Sequence, residues 1–147
     1  MDYVILKAEL LGDPAGLGYG VYLANASGKV AELMNEPRFF MPKSRMITAR
    51  AILAECANGD SILEKLEALS TVNTGVKWVV KFLGQDAGVD IGNAATRSNI
   101  DTIVSAGGLT SEEGTQLKNM AVQLASRAEV LGFGRVDSTD IQKAMES

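Results

Sequence analysis

The chain contains no histidine and only one cysteine, Cys56. Without histidine it lacks the usual general base near neutral pH and the commonest zinc ligand. A single cysteine excludes an internal disulfide. Cys56 lies in the apolar run 51–57, which is typical of a small buried side chain, whereas a nucleophilic cysteine would need a neighbouring base. These absences remove several common routes to catalysis.

The chain also lacks a concentration of positive charge and a long apolar run. Its 14 basic residues are scattered singly and its net charge is −4. Because binding to phosphates depends on clustered lysine and arginine, we do not expect nucleic acid to be the main partner. No apolar run approaches the roughly 20 residues that span a bilayer, and the N-terminus lacks the basic leader of a secretion signal. We therefore expect no membrane partner.

What the sequence does contain is a set of signals for short helices. Three pairs have the capping-box spacing, in which a serine or threonine is followed three residues later by glutamate: Ser61 with Glu64, Thr110 with Glu113, and Ser126 with Glu129. Apolar residues recur at helical spacing between glycine-rich and proline-containing turns. The predicted fold is all-α: a compact single domain, residues 1–147, of about seven to nine short helices joined by tight Gly/Pro turns.

The predicted helices follow the apolar periodicity and end at glycine, asparagine or proline. Two segments, Tyr3–Leu6 and Val76–Leu83, carry enough β-type residues for a strand to be the competing interpretation. We favour helix for both. We predict that the second helix is central and largely buried, and that Lys77 and Lys81 lie on its one narrow solvent-exposed side. The main predicted helices are Tyr3–Leu11, Gly28–Asn35, Ile47–Ala57, Ile62–Leu69, Val76–Leu83, Ala94–Ser105 and Ser111–Leu124.

The stretch 125–141 predicts the end of one helix and the start of the next. Ser126 and Glu129 open a helix, and Gly132 can adopt the left-handed conformation that ends it. Asp137 or Ser138 can then cap the last helix, with Asp140 near its positive N-terminal end.

Two loops suggest ligand sites only weakly. Gly16–Gly20 is glycine-rich, but a phosphate-binding loop needs a preceding strand and a following helix, so we favour a tight turn that buries Leu17 and Tyr19. The loop 85–92 contains Asp86 and Asp90 but lacks the twelve-residue register of a calcium-binding loop. We predict no metal and no cofactor.

The segment Arg38–Phe39–Phe40–Met41 lies between Pro37 and Pro42, which favours an extended connector. Its large apolar side chains form either a clasp across the core or an exposed patch that marks a partner surface.

The acidic residues lie mostly at helix starts, and the adjacent pair Glu112–Glu113 is a poor carboxylate dyad because neighbouring residues on a helix do not face each other. We therefore predict that the protein is not an enzyme.

Both ends of the chain resemble a family of small proteins encoded among the structural genes of tailed bacteriophages. The resemblance is carried by the residues at 6–10, 13–19, 33–35 and 37–38, and by those at 126–129, 131–132 and 136–144. About half of the chain takes part, and the middle does not.

The resemblance implies a non-enzymatic virion component of the tail, collar or fibre attachment, assembled in the host cytoplasm. Its partners would be other virion proteins, including copies of itself in a symmetric assembly. The alternative is a small phage-encoded binding or regulatory module acting in the host cytoplasm. We predict Tyr19, Arg38, Phe39, Phe40 and Met41 as the partner-binding residues.

Overall fold

The computed structural model describes the whole chain, Met1–Ser147, as nine helices and four short strands. The helices are α1 Tyr3–Gly12, α2 Ser27–Asn35, α3 Ala49–Glu55, α4 Gly59–Ser70, α5 Thr74–Leu83, α6 Ala94–Ser105, α7 Ser111–Asn119, α8 Arg127–Val130 and α9 Ser138–Glu146. The strands are β1 Pro37–Pro42, β2 Met46–Ile47, β3 Val89–Asp90 and β4 Val122–Ser126, and a 3-10 turn spans Tyr19–Val21.

The all-α prediction is wrong, because the chain is mostly helical but also contains two small two-stranded sheets. In the first sheet β1 pairs with β4. Because proline restricts the residue before it to extended conformations, a segment between two prolines is favoured as an extended strand that can pair with another strand. Its partner was predicted as the end of a helix reaching Leu124, but α7 ends at Asn119. The spacing of Leu117, Met120, Ala121 and Leu124 imitates a helix, and strand pairing overrides that local preference.

The second sheet joins part of the predicted loop 85–92 to Ile47, which was predicted as the first residue of a helix that in fact begins at Ala49. Met46 and Ile47 pair antiparallel with Asp90 and Val89. The approach is so close that a Cβ on Gly88 would lie 2.1 Å from the Ile47 carbonyl oxygen. The Asp90 carboxylate accepts hydrogen bonds from Ser44 Oγ at 2.8 Å and from the Arg45 amide at 3.0 Å. These bonds link β3 to the residues that precede β2. Led by the one from Ser44, they also lower the pKa of Asp90.

By its internal contacts the chain divides into two compact units. Unit 1 consists of Met1–Met41 and Leu124–Ser147, and unit 2 is the continuous segment Pro42–Gln123. Each unit has a buried apolar cluster of its own. The prediction of a single domain stays a prediction, since contacts alone do not decide whether the units unfold together.

Unit 1 is built from the two ends of the sequence. Helix α9 packs against both α1 and α2, and α8 packs against α2. The buried side chains are Leu6, Leu10, Tyr19, Val30, Ala31, Met34, Ala128, Val136, Ile141 and Ala144. The Asn35 side chain binds the Val136 backbone twice, donating to its carbonyl at 2.6 Å and accepting from its amide at 3.0 Å. Asn35 thereby joins the end of α2 to the segment that leads into α9.

Unit 2 is built from α3 to α7 with the β2–β3 sheet. Helix α4 packs against α3 and α5, and α6 packs against α7. The buried side chains include Ile47, Ile52, Ile62, Leu66, Ile100, Leu109 and Leu117. Glycine permits two close crossings: a Cβ on Gly59 would lie 2.6 Å from the Ile52 carbonyl oxygen, and one on Gly92 would lie 1.7 Å from the Lys43 carbonyl oxygen.

The helix assignments for both ambiguous segments are confirmed, since α1 and α5 are helices. Asp2 caps α1, accepting from the amides of Val4 and Ile5, and Asn73 caps α5, accepting from the amide of Val76. Propensity and capping together therefore outweigh the β-branched content of these segments.

The predicted capping boxes have three different outcomes. Thr110 with Glu113 forms the full reciprocal box, and Ser126 accepts from the Glu129 amide as an N-cap. The box at Ser61 is wrong, because α4 begins at Gly59 and Ser61 lies inside the helix. Asp137 with Asp140 forms an additional full box at the start of α9. The capping residue is thus Asp137, not Ser138.

The predicted helix end at Gly132 is confirmed. Gly132 has φ +82°, its amide donates to the Glu129 carbonyl at 3.0 Å, and the Phe133 amide donates to the Ala128 carbonyl at 2.9 Å. This paired pattern is the Schellman motif, which satisfies the last carbonyls of a helix.

Candidate interaction surfaces

The predicted contact segment in β1 faces two ways. Side chains alternate along a strand, so Arg38 and Phe40 are exposed while Phe39 and Met41 are half-buried. Phe40 is 70% exposed. Arg38 forms an ion pair with Glu36. One side of the segment is therefore half-buried and the other presents an exposed aromatic ring, but neither Phe39 nor Met41 is among the side chains packed against the two apolar clusters, so the segment is not a clasp across the core.

Phe39 packs beside an ion pair inside unit 1. The guanidinium carbon of Arg127 lies 5.9 Å from the centre of the Phe39 ring. Arg127 also donates to both oxygens of Glu9, at 2.7 and 2.9 Å. Glu9 is buried, so this bidentate pair with the ring beside it is a structural element of unit 1, and Phe39 is only in part available to a partner.

Tyr19 cannot serve as a contact surface, because its side chain is fully buried at 0% exposure. Its hydroxyl lies 3.5 Å from Glu9 Oε1. Burial, with the nearby carboxylates of Glu9 and Asp13, raises the pKa of Tyr19 well above its usual value. The preferred interpretation of the glycine-rich segment, a tight turn that buries Leu17 and Tyr19, is confirmed for Tyr19, whereas Leu17 is only half-buried. The proposal that Tyr19 contacts a partner is corrected.

The backbone amides of this turn that could have bound a phosphate form hydrogen bonds within the chain. The Asp13 carboxylate accepts from the Leu17 amide at 2.7 Å and from the Gly18 amide at 2.8 Å. Gly16 and Gly18 have φ +66° and +84°, which suits glycine. A carboxylate of the chain itself therefore occupies the position of the anion.

The outer face of α1 is an apolar surface that the sequence interpretation missed. Val4 is 75% exposed, Leu11 is 61% exposed, and Met1 and Ile5 are each half-exposed. With exposed Ala8, those within the helix form one stripe at helical spacing, and Met1 lies just before the helix. The charged residues of this helix, Lys7 and Glu9, lie outside the stripe, and Glu9 is buried. We call Met1, Val4, Ile5, Ala8 and Leu11 the α1 stripe.

A signal for the α1 stripe was present in the sequence. Val4, Leu6, Ala8, Leu10 and Leu11 give this helix an apolar face that is wider than one core contact requires. Leu6 and Leu10 face the core. The remaining apolar residues therefore lie on the outer side of the helix, where a polar residue would be usual. A contiguous apolar patch of this kind marks an interaction site more often than scattered single residues do.

The outer face of α5 is a second surface, and here the prediction of a largely buried helix is wrong. Only Val76 and Leu83 are buried, whereas Trp78 is 48% exposed and Phe82 is 44% exposed. The centres of the two rings are 6.1 Å apart, and the Lys81 ammonium lies 4.8 Å from the Trp78 ring. Lys77 and Lys81 are both exposed, as predicted. One side of α5 packs on the unit 2 core, and the other presents aromatic and basic side chains.

The buried carboxylate of unit 2, Glu113, accepts hydrogen bonds on both of its oxygens. It accepts from Lys65 Nζ at 2.6 Å, from Ser61 Oγ at 2.7 Å and from the Thr110 amide at 2.9 Å. The Lys65 ammonium is the largest cause of a pKa lowered to about 2. A carboxylate that is ionised and already bonded on both oxygens is a poor proton acceptor for a substrate, so Glu113 stabilises the fold.

Cys56 and a surface depression in unit 1 also offer little reactive chemistry. Cys56 is buried with its Sγ 3.4 Å from Met120 Sδ, and burial raises the pKa of its thiol, which keeps it protonated. The depression, about 550 Å³, lies in unit 1 and is lined in part by Asn35, Arg135 and Asp137. Asn35 is bonded to Val136, and Asp137 caps α9. The Asn35 and Asp137 side chains in it are therefore used by the fold.

No group of cysteine, aspartate and glutamate side chains is arranged to hold a metal ion. None of the helices has the length and apolar character needed to cross a membrane. Comparison of the chain with known protein families, with curated proteins and with solved structures gives no match.

Proposed function

We propose that this protein is a non-enzymatic structural component of a tailed-phage virion, in the tail, collar or fibre attachment, and that it acts through protein–protein contacts. The observation that carries the proposal is the α1 stripe, an unpartnered apolar helix face on unit 1. Apolar area of this kind is stabilised when another protein covers it.

The location of the family resemblance supports the virion setting. All the residues on which the resemblance depends lie in unit 1. Several of them hold that unit together, among them Glu9 with Arg127 and Asp13 with the turn at Gly18. Their roles are in folding, which fits a protein that presents surfaces and does not bind a substrate.

Quantitative mass spectrometry of purified particles of the encoding phage tests the proposal. We expect the protein at a fixed copy number greater than one per particle. The double variant Val4→Glu, Ile5→Glu should still fold, because acidic side chains in a first helical turn favour the helix dipole. It should be depleted from particles, because buried unpaired carboxylates oppose association.

The matched control is Val21→Glu, which changes another exposed valine of unit 1 outside the α1 stripe. It should enter particles like the unchanged protein. Absence of the unchanged protein from purified particles would instead favour the cytoplasmic binding module. Equal incorporation of the α1 variant and the control would remove the α1 stripe from the explanation.

A further inference from the structure

The outer face of α4 carries an acidic stripe. Asp60, Glu64 and Glu67 are exposed and spaced by four and three residues, so they share one side of the helix. The buried residues Ile62 and Leu66 lie on the other side. None of the three carboxylates forms an ion pair within the chain.

The outer face of α5 carries the opposite charge. Lys77 and Lys81 are exposed, are four residues apart and form no ion pair within the chain. Helix α5 contains no acidic residue. Beside the lysines lie the half-exposed rings of Trp78 and Phe82. Because α4 and α5 pack against each other in unit 2, an acidic face and a basic aromatic face are neighbours on one helical hairpin.

We propose that this hairpin binds a second copy of the chain, with α5 of each copy against α4 of the other. The lysines at 77 and 81 then face the acidic stripe of the partner copy, and the rings of Trp78 and Phe82 are buried between the helices. A two-fold arrangement forms this charge pairing twice, because each copy supplies one face of each sign. Pairing four helices in this way gives a bundle, a common form of helix association.

Charge complementarity favours a second copy over an unrelated acidic partner. An acidic peptide would cover only α5 and would leave the acidic stripe of α4 unpaired. A copy of the same chain covers both faces at once, which is the self-complementarity that an interface between identical subunits requires. This inference goes beyond the proposed function: it concerns a different surface, and it can hold or fail whether or not the protein is part of a virion.

Sedimentation velocity and Trp78 fluorescence of the purified full chain test the proposal. Trp78 is the only tryptophan, so its emission reports directly on the proposed interface. Between ~1 µM and ~1 mM, where weak interfaces form, we expect a monomer–dimer transition with a blue shift of the emission. Added salt should weaken it, because exposed charges are screened. K77E/K81E should weaken it at least about 100-fold, since like charges would then face each other.

A charge swap makes the test specific. E64K/E67K should also self-associate more weakly than the unchanged chain, but an equal mixture of E64K/E67K with K77E/K81E should form a heterodimer. The control K43E/R50E changes two exposed basic residues elsewhere in unit 2 by the same charge and should dimerise like the unchanged chain. The proposal is overturned if the unchanged chain stays monomeric over this range, if K77E/K81E dimerises normally, or if the two reversed variants do not associate when mixed.

Discussion

Unit 1 and unit 2 differ in how the sequence supplies their contacts. Unit 1 joins residues from the two ends of the chain, and its polar links span more than a hundred positions: Glu9 with Arg127, and Asn35 with Val136. Unit 2 is one continuous segment. Its main buried polar link connects Glu113 with Ser61 and Lys65, which lie nearer in sequence.

This difference indicates that the contacts of the two units cost different amounts of conformational entropy to form. Unit 1 must close a long loop before its ion pair can form, and loop closure costs conformational entropy. Unit 2 can assemble from helices that follow one another along the chain, as proteins rich in local contacts do. The residues on which the proposed resemblance to phage proteins rests are all in unit 1, whereas the hairpin of α4 and α5 is in unit 2.

The largest expected effect comes from removing the long-range ion pair of unit 1. Arg127→Ala leaves the carboxylate of Glu9 buried without its partner, and we expect a loss of about 3–5 kcal/mol of unfolding free energy. Tyr3, Tyr19 and Tyr22 all lie in unit 1, while Trp78 lies in unit 2. Trp78 fluorescence, followed in urea, therefore reports on unit 2, and near-ultraviolet circular dichroism in a Trp78→Phe background, where no tryptophan band overlaps the tyrosine bands, reports on unit 1.

If the chain is the single domain that the sequence predicts, both signals should shift to lower urea together in this variant. A shift of the tyrosine signal alone would contradict the single-domain prediction. Arg135→Ala is the control, because Arg135 is exposed and forms no ion pair. The double variant Glu9→Leu, Arg127→Met should recover most of the loss, since apolar replacements leave no unpaired charge. A loss below ~1 kcal/mol for Arg127→Ala would mean that the ion pair is dispensable.

A smaller effect is expected from the corresponding carboxylate of unit 2. The pKa of Glu113 is lowered to about 2 from an ordinary value of 4.5. A carboxylate with a lowered folded-state pKa stabilises the fold fully above its unfolded pKa and loses that contribution as the pH falls through its folded pKa. Glu113→Gln should therefore cost on the order of 2 kcal/mol at neutral pH, allowing for the half-exposed Lys65 partner.

The difference in unfolding free energy between the unchanged chain and Glu113→Gln should shrink between pH 4.5 and 2, and should approach zero at the lower end. Urea titrations followed by Trp78 fluorescence measure it. Because the other carboxylates are present in both chains, their contribution to the pH dependence cancels in this difference. A difference that is the same at pH 7 and pH 3 would show that the charge of Glu113 is not what stabilises unit 2.

Local sequence rules predicted most helices, because caps and apolar spacing act within a few residues. They failed at β4, where the apolar spacing up to Leu124 fits a helix and pairing with β1 decides the outcome. They failed again at Ser61, which has capping-box spacing but lies within α4 and donates to Glu113 from a different helix. In both places the deciding partner is far along the sequence, beyond the range of a local pattern.

The candidate surfaces were harder to predict, because exposure depends on which side of a helix meets the core. The apolar residues of α1 and α5 are evident in the sequence, yet only the packing shows that Val4 and Trp78 face outward. Glu9 is the reverse case, a charged residue that is buried because Arg127 is available to pair with it. The exposed ring of Phe40 is the part of the predicted contact segment that the structure leaves most open.

The smallest expected effect compares one position in each unit. Gly28 and Gly75 are both the second residue of a helix, α2 and α5, and neither has positive φ. Replacing glycine with alanine at a compatible position raises stability by about 0.4–1 kcal/mol, because the unfolded chain loses freedom. A Cβ at Gly28 meets nothing within 4 Å, so Gly28→Ala should raise the unfolding free energy by that amount.

At Gly75 the same change should bring no gain. A Cβ there would lie 3.3 Å from Asn73 Oδ1, the oxygen that caps α5 by accepting from the Val76 amide. The Ala26 side chain at the start of α2 makes no such bond, so nothing is displaced in unit 1. Urea unfolding followed by tyrosine dichroism for Gly28→Ala and by Trp78 fluorescence for Gly75→Ala measures both changes. Equal stabilisation at the two positions would mean that the Asn73 cap shifts without cost, and that the units do not differ in how tightly their helix starts are held.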